Sequence, residues 1–453
     1  MRSYLLIIIA FCVALSSAAQ TPDLARPLPS SWQYTDGIPQ TLPDDDSWWK
    51  SFNDPVLDSL ITLGVNNNFD LSMAMRRMDA AARQIDAARA AYYPTLGVNA
   101  AYTRSRSEGV NANRYSLGAT ASWEIDLFGK ITAGVRQKKA AYRASRAEWT
   151  GAMVSLAGNI ASTYVQLRQY EAQLKVAEQN TLAQDSIAGL VKARYDAGLG
   201  SKPSLEQAQS LMYSTRSTIP SLRTSVAKTR SALALLVGVY PGELEPLLSR
   251  GDRLPDYHMV VSAGVPADLL RRRPDIAQAE AEVAAAAAAA GIAKKDYLPS
   301  LTIEGNVGVA AGTPGDMFTS HGFNYSVTPT LSWTVFDGLA RRANVAAAND
   351  ELLAQIDNYN YVVMNAYAEV DNALIAYGNT LSQISDAEQA RDSAMEFLHL
   401  QLDLYTQGLS TFSDVATAQQ SVLSYSNNVI NARAAALTAL IDLYEALGGG
   451  FVQ

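Results

Sequence analysis

The sequence predicts a mainly α-helical chain that carries transmembrane β-structure: a β-hairpin followed by a long antiparallel coiled-coil hairpin, the whole built twice. Three observations predict it. The first is an internal repeat. A helical run at 70–91 precedes Tyr92, Tyr93 and Pro94, and a second at 275–295 precedes Tyr297, Leu298 and Pro299, 205 positions on at both the leading Asp and the Pro. Such self-similarity marks one architecture made twice. The second is strict alternation of apolar and polar residues after each proline. The third is a pair of very long proline-free stretches, each returning through a heptad-spaced helix.

The chain opens like an exported protein. Arg2 supplies the charge, Leu5 to Leu15 the apolar core, and Ser17, Ala18 and Ala19 the small residues of a cleavage site before Gln20, so 1–19 reads as a signal peptide. Cys12 is the only cysteine and leaves with the signal; it follows Phe11, unlike a lipid-acceptor cysteine. No later segment reads as long and apolar enough to be a transmembrane helix. Net charge is −8, which argues against nucleic acid. An N-terminal extended segment is expected over 20–54, the first repeat over 55–237, an equatorial linker over 238–265, the second repeat over 266–447 and a tail over 448–453.

The hairpins are expected at 95–125 and 300–335. In the first, Leu96, Val98, Ala100 and Tyr102 alternate with small polar residues, as do Tyr115, Leu117, Ala119, Ala121, Trp123 and Ile125. In the second, Leu301, Ile303, Val307 and Val309 are followed by Tyr325, Val327, Leu331, Trp333 and Val335. A period of two puts the apolar side chains on one face and Ser, Thr, Gly, Asn and Glu on the other. An ordinary half-buried sheet fits this pattern. So do lipid-facing strands of about ten residues with a wet lumen behind them. Four strands cannot close a barrel, and an open edge cannot sit in lipid. Three copies give twelve strands, within the known range. The joining loops, 105–113 and 310–323, then face outside the cell.

Each hairpin is followed by a run without proline, 128–195 and 344–405, rich in helix formers. Each such helix reaches about 100 Å at 1.5 Å per residue. The return helices carry Leu205, Ala208, Met212, Thr215, Ile219, Leu222, Val226, Thr229, Leu233 and Leu236, matched 210 positions on by Val415, Ala418, Val422, Tyr425, Val429, Ala432, Ala436, Ala439 and Leu443. Steps of three and four define a coiled-coil seam. Pro220 is expected to kink the first return helix. Tips are expected at 196–204 and 406–414, with Gly198 and Gly408 in the left-handed position that ends a helix.

Catalytic signatures are missing. His258, His321 and His399 are far apart in sequence, and no phosphate-cradling loop or nucleophile elbow occurs. Ser225 and Lys228 form a Ser-x-x-Lys pattern without companion motifs, on a helix seam. The run Arg271, Arg272, Arg273 reads as the solvated start of a helix, with Pro274 in its first turn.

The segments SWWKSFNDP at 47–55, WEIDLFG at 123–129, DLLRRRPD at 268–275, YLP at 297–299 and WTVFDG at 333–338 resemble the TolC-type outer membrane factors, in their drug-efflux and nodulation branch. The resemblance spans nearly the whole mature chain. It implies a homotrimer with a twelve-stranded outer-membrane barrel continuing into a twelve-helix periplasmic tunnel, with no enzyme activity and no cofactor. It implies a passive exit duct in the outer membrane lipid, supplied by an inner-membrane pump of the resistance-nodulation-division type. A periplasmic adaptor would dock at the tips, with Gly198, Leu199, Ser201, Gly408, Leu409 and Thr411 as candidates. Relatives close the tunnel by tip contacts and rings of aspartate, which makes Asp414, Tyr405, Thr417, Ser204 and Tyr195 the candidate gate. Thr417 stands where some relatives carry a second aspartate, Ser410 where some carry an arginine, and Ser204 stands opposite Asp414 in the first copy, so a weaker or differently built latch is expected. For Asp414, pore lining is preferred over the plainer reading of a helix N-terminal carboxylate. For Tyr195 and Tyr405, coiled-coil packing is preferred. A structural or adhesive surface protein would explain the heptads but not the lipid-patterned hairpins. A soluble periplasmic binding protein or enzyme lacks a catalytic constellation.

Overall fold

A computed structural model describes residues 29–33, 47–251, 253–255, 266–268 and 272–449. The signal peptide with Cys12, most of 20–54, His258, Arg271 and the end of the tail lie outside the described residues. Among the described residues the α-helices and strands follow in the order α1 (Pro55–Asn67), α2 (Phe69–Arg89), β1 (Thr95–Ser107), β2 (Val110–Ile125), α3 (Lys130–Asp196), α4 (Lys202–Val237), α5 (Glu245–Leu248), α6 (Pro274–Lys295), β3 (Ser300–Ala311), β4 (Phe323–Ser332), α7 (Ala340–Thr406) and α8 (Phe412–Ala446).

The four strands form one antiparallel sheet in the order β1-β2-β3-β4, so β1 and β4 are its edges. The register keeps the alternation in phase across both repeats. Val98 pairs with Ala119, Ala119 with Val307, and Val307 with Tyr325. On the other face Gly97 pairs with Thr120, Thr120 with Asn306, and Asn306 with Ser326. From Tyr102 and Tyr115 down to the periplasmic end one face is therefore apolar and the other mainly polar; beyond Tyr102 the apolar face ends in Arg104, Arg106, Asn111 and Asn113. In the single chain Leu96, Val98, Tyr325 and Val327 are all at least 70% exposed, with no protein core over them. At the periplasmic end the two repeats share one device: Trp123 donates its indole N–H to Tyr92 O (2.9 Å), and Trp333 donates to Tyr297 O (3.0 Å).

Two strand limits differ from expectation. The first hairpin has no polar loop over 105–113; its strands run on to a two-residue turn at Glu108 and Gly109, with φ of 51° and 84°. Paired positive φ values suit the twist of a hairpin, and they let the ladder outlast its apolar pattern. In the second hairpin β4 stops at Ser332, so Trp333 and Val335 lie beyond it. The sequence reading also excludes transmembrane helices, yet α6 is long and apolar enough to cross a bilayer by length and composition. Its apolarity comes from the alanine run at 284–290. It packs between α3 and α7 and leads directly into β3.

The helices form the larger part. α3 and α7 have 67 residues each. Beside each stand two shorter helices end to end: α2 above α4, and α6 above α8. The lower hairpins repeat closely. Arg223 pairs with Glu178 (2.8 Å), and Arg433 with Glu388, both partners lying 210 positions on. The expected seam residues Ala208, Met212, Thr215, Val226, Thr229 and Leu233 are buried, as are Val415, Ala418, Val429, Ala436, Ala439 and Leu443. Tyr425 departs from the seam and is 39% exposed. Pro220 lies inside α4 as expected.

Where the short helices meet, both repeats use one splice. Asn68 caps α2 by accepting from Leu71 N (2.9 Å) and donates its amide to Leu236 O near the end of α4 (2.8 Å). Arg273, 205 positions on, precedes α6 and donates to Ala446 O at the end of α8 (2.8 Å). It also pairs with Asp275 (2.7 Å) and Glu369 (2.6 Å) and is 8% exposed. The solvated reading of the arginine run thus fails at Arg273, because an orphan helix-end carbonyl and two carboxylates draw it inward. Around this level lies the main core: Trp48 stacked on Tyr444 (5.2 Å), with Phe52, Leu57, Leu60, Ile160, Leu233 and Leu440. Trp32 stacks on Tyr367 (5.3 Å), tying the N-terminal segment to α7.

Replacing Arg273 with Met is expected to cost about 2 kcal/mol, because a charged donor is lost to a buried carbonyl. Asn68→Ala should cost about 1 kcal/mol, as for a lost cap. Denaturant melts of the detergent-solubilised chain check both, and equal stability to wild type would remove the splice as a determinant.

Candidate gate and docking tips

The two tips are built alike. In the first, Leu199 N–H donates to Arg194 O (2.8 Å) and Gly198 N–H to Tyr195 O (2.9 Å). In the second, Leu409 donates to Leu404 O (2.8 Å) and Gly408 to Tyr405 O (3.0 Å). This pair of bonds ends a helix through a left-handed residue, and Gly198 and Gly408 have φ of 73° and 77°. Leu199 and Leu409 are left about 70% exposed at the extremities.

The return helices start with matched caps of different charge. Ser201 Oγ accepts from Ser204 N (3.3 Å) and lies 3.0 Å from Ser204 Oγ. Thr411 and Asp414 form a reciprocal capping box, in which Asp414 Oδ2 accepts from Thr411 N (3.0 Å) and Thr411 Oγ1 (2.7 Å). The Thr411 hydroxyl and amide hold the Asp414 carboxyl below the usual carboxylate range. Asp414 thus occupies the plainer position weighed above, a helix N-terminal carboxylate, while staying exposed at the tip. Thr417 is also exposed, and its hydroxyl is spent on Ser413 O (2.9 Å). Ser410 Oγ is within 3.0 Å of Gln401 Oε1 and 3.4 Å of Asp414 Oδ2.

The two tyrosines part company. Tyr405 is buried in a small cluster with Val191, Ala208, Phe412, Val415 and Ala416, edge-on to Phe412 at 5.8 Å. Tyr195 is 39% exposed. One residue that sequence reasoning missed joins the hairpins. Arg194 at the end of α3 donates to Tyr405 O (3.1 Å) and Thr406 O (2.8 Å), with its guanidinium over the Tyr405 ring at 5.0 Å. A cation at the carbonyl end of α7 is favoured by the helix dipole as well as by the bonds themselves. Its repeat counterpart is Leu404, so comparison of the two copies hides it.

At the level of the splice, a cavity of about 590 Å³ is lined by Arg273, Asp275, Glu369, Asp442 and Glu445 among others. Gly158 makes room for Glu445: a Cβ there would lie 2.1 Å from Glu445 Oε1. Burial and the neighbouring Asp442 push the Glu445 carboxyl up to about 7. Among the described residues no three His, Cys, Asp or Glu side chains are placed to hold a metal ion together.

A sheet patterned for lipid, wall helices of 67 residues and duplicated tips are on one chain, and comparison with known proteins agrees. The profile of the family described as "Outer membrane efflux protein" matches residues 60–239 and 265–449. The chain belongs to this family. It is 28% identical to Nodulation protein T of Rhizobium leguminosarum bv. trifolii, over 91% of this chain and 90% of that protein. It is 28% identical to the pyoverdine export outer membrane protein OpmQ of Pseudomonas aeruginosa, over 98% of this chain and 96% of that one. The solved outer-membrane channel OprN superposes with a TM-score of 0.88 at 28% identity, covering 94% of this chain and 98% of that one. The protein is therefore an outer-membrane efflux channel of the nodulation branch with a TolC-type fold. Its sheet lies in the outer membrane and its helices extend into the periplasm. The family is one of channels, and the adhesive reading is not favoured.

Two outcomes follow from this geometry. Because Glu445 titrates near 7 in the fold and near 4.5 when unfolded, its contribution to stability is full below about 4.5 and lost as pH rises through 7. Glu445→Gln should therefore melt higher than wild type at pH 8, with the gap closing towards pH 5; a gap independent of pH would refute the assignment. Arg194→Gln should raise single-channel conductance or its open fraction in a planar bilayer, by loosening the bond between hairpins. Unchanged currents would show that Arg194 does not restrain the tip.

Proposed function

We propose that three copies of this chain close into one twelve-stranded barrel above a twelve-helix tunnel, and that this duct passes small molecules outward without doing chemistry itself. The observation that carries the reading is the pair of free sheet edges, β1 and β4, on a sheet with one face apolar up to Tyr102 and Tyr115. Backbone groups on an open edge find no partner in hydrocarbon, so the edges need further copies, and three copies of four strands give twelve, within the known range. The strands have 13, 16, 12 and 10 residues, enough for a tilted crossing.

In this reading an inner-membrane pump of the resistance-nodulation-division type loads the duct through a periplasmic adaptor. The adaptor meets the tips at Gly198, Leu199, Ser201, Gly408, Leu409 and Thr411, where two exposed leucines offer apolar anchors. The gate is the tip of the second hairpin. Asp414 from three copies would gather negative potential at the tunnel mouth. The exposed Thr417 and Tyr195 and the half-buried Ser204 complete it, and Tyr405 acts from behind as packing and as the seat for Arg194. No enzymatic step is assigned to the chain.

The native mass of detergent-extracted protein from separated outer membranes is expected to be that of a trimer. A monomer in the soluble periplasmic fraction would sink the duct. The gate has its own test in Asp414→Ser. Ser204 shows that a serine can serve this cap without charge, so the variant should keep the tip protected in hydrogen exchange. It should also lose block of the current by multivalent cations. Block of unchanged strength would take Asp414 out of the gate.

A further inference from the structure

The chain carries a net charge of −8, yet residues 129–147 hold six Lys and Arg and no Asp or Glu. This stretch begins just below the end of β2 at Ile125. At 1.5 Å per residue, Lys130 to Lys139 descends about 14 Å from that level. Lys294 and Lys295 end α6 at the same height, and Arg341 and Arg342 open α7 there. Three of these cations serve the protein: Lys130 pairs with Asp296 (2.7 Å), Lys295 Nζ donates to Gly129 O (2.7 Å), and Arg341 pairs with Asp337 (2.7 Å). Arg136, Lys138, Lys139, Lys294 and Arg342 are exposed and have no hydrogen bond or ion pair among the described residues. Trp123 and Trp333, anchored to Tyr92 and Tyr297, mark the adjacent membrane border.

We propose that those of these five side chains that face away from the lumen form a girdle that binds the phosphates of anionic phospholipids in the periplasmic leaflet and so sets the depth of the barrel. The proposal rests on the outer-membrane position with the helices in the periplasm. The heights fit: the headgroup layer extends several ångströms past the hydrocarbon, and Lys and Arg side chains reach up several more. The directions fit as well. Lys138 lies about 200° round the helix from Arg136, so one of the two faces outward whichever side of the wall is the lumen. Arg143 and Arg146 start about 6 and 10 Å further down than Lys139, so their pull on the same phosphates is weaker.

The experiment is native mass spectrometry of the detergent-extracted full chain offered phosphatidylglycerol and phosphatidylethanolamine together. Wild type should retain the anionic lipid about fivefold over the zwitterionic one, the factor expected of one surface cation, and the preference should fall as salt rises. The combined variant Arg136→Gln, Lys138→Gln, Lys139→Gln, Lys294→Gln, Arg342→Gln should bind the two lipids equally. Arg143→Gln with Arg146→Gln should keep the preference. Equal binding by wild type, a preference insensitive to salt, or one that survives in the five-residue variant overturns the proposal. So does a five-residue variant that changes ion selectivity of the pore and leaves lipid binding intact. Should that variant fail to fold, the salt dependence of wild type and the deeper pair of substitutions decide the matter.

Discussion

The wall of this molecule depends on joining half-height helices without leaving their ends unpaired. A 67-residue helix needs a neighbour of equal height, and each repeat supplies it in two pieces. Each junction exposes the last carbonyls of a lower helix to the first amides of an upper one, inside a packed layer where water cannot serve both. Asn68 and Arg273 solve the same problem at equivalent places, one with an amide and one with a guanidinium. The apolar core gathers around these junctions, with Trp48, Phe52 and Tyr444. The long helices hold their pitch above and below because the splice fixes the two halves in line.

Most of the architecture was legible in the residues. Period-two alternation fixed which face of the sheet is apolar, and the register carries it unbroken from β1 to β4. The heptad lists anticipated the buried seams of α4 and α8, because coiled-coil packing is a local, periodic property. What escaped was everything decided by distant partners. Arg273 read as solvated because its neighbours in sequence are arginines, whereas its partners Glu369 and Ala446 are 96 and 173 positions away. Arg194 went unseen because its acceptors lie on the other hairpin, 211 and 212 positions on. The loop over 105–113 was misjudged for another reason: polar residues can extend a ladder once a two-residue turn sets the register. At the tip, the caps were foreseeable from Ser201 and Thr411, but not that Tyr405 and Tyr195 would differ in burial.

The duplication is not symmetric in chemistry. Both hairpins keep the same cross-helix ion pair and the same glycine turn, so their register is common. The first carries Pro220 within its return helix, and Gln184 buried on the facing helix without a hydrogen-bond partner. The second has Ile430 and a buried Ala394 at the matching places. A missing helical bond and an unsatisfied amide lower the resistance to bending in one hairpin only. The charge at the tips is divided in the same uneven way, with Asp414 on one hairpin and Ser204 on the other.

The unpaired edges of the sheet have a consequence for heredity as well as for assembly. Each copy in the proposed ring offers β1 to one neighbour and takes another neighbour's edge on β4, so no copy completes its own sheet. A chain with a faulty edge strand, made beside a healthy one, would still enter rings through its sound edge and leave them open. Lesions in β1 or β4 should therefore act dominantly, silencing channels built mostly of normal chains, whereas a lesion that prevents folding altogether would be recessive.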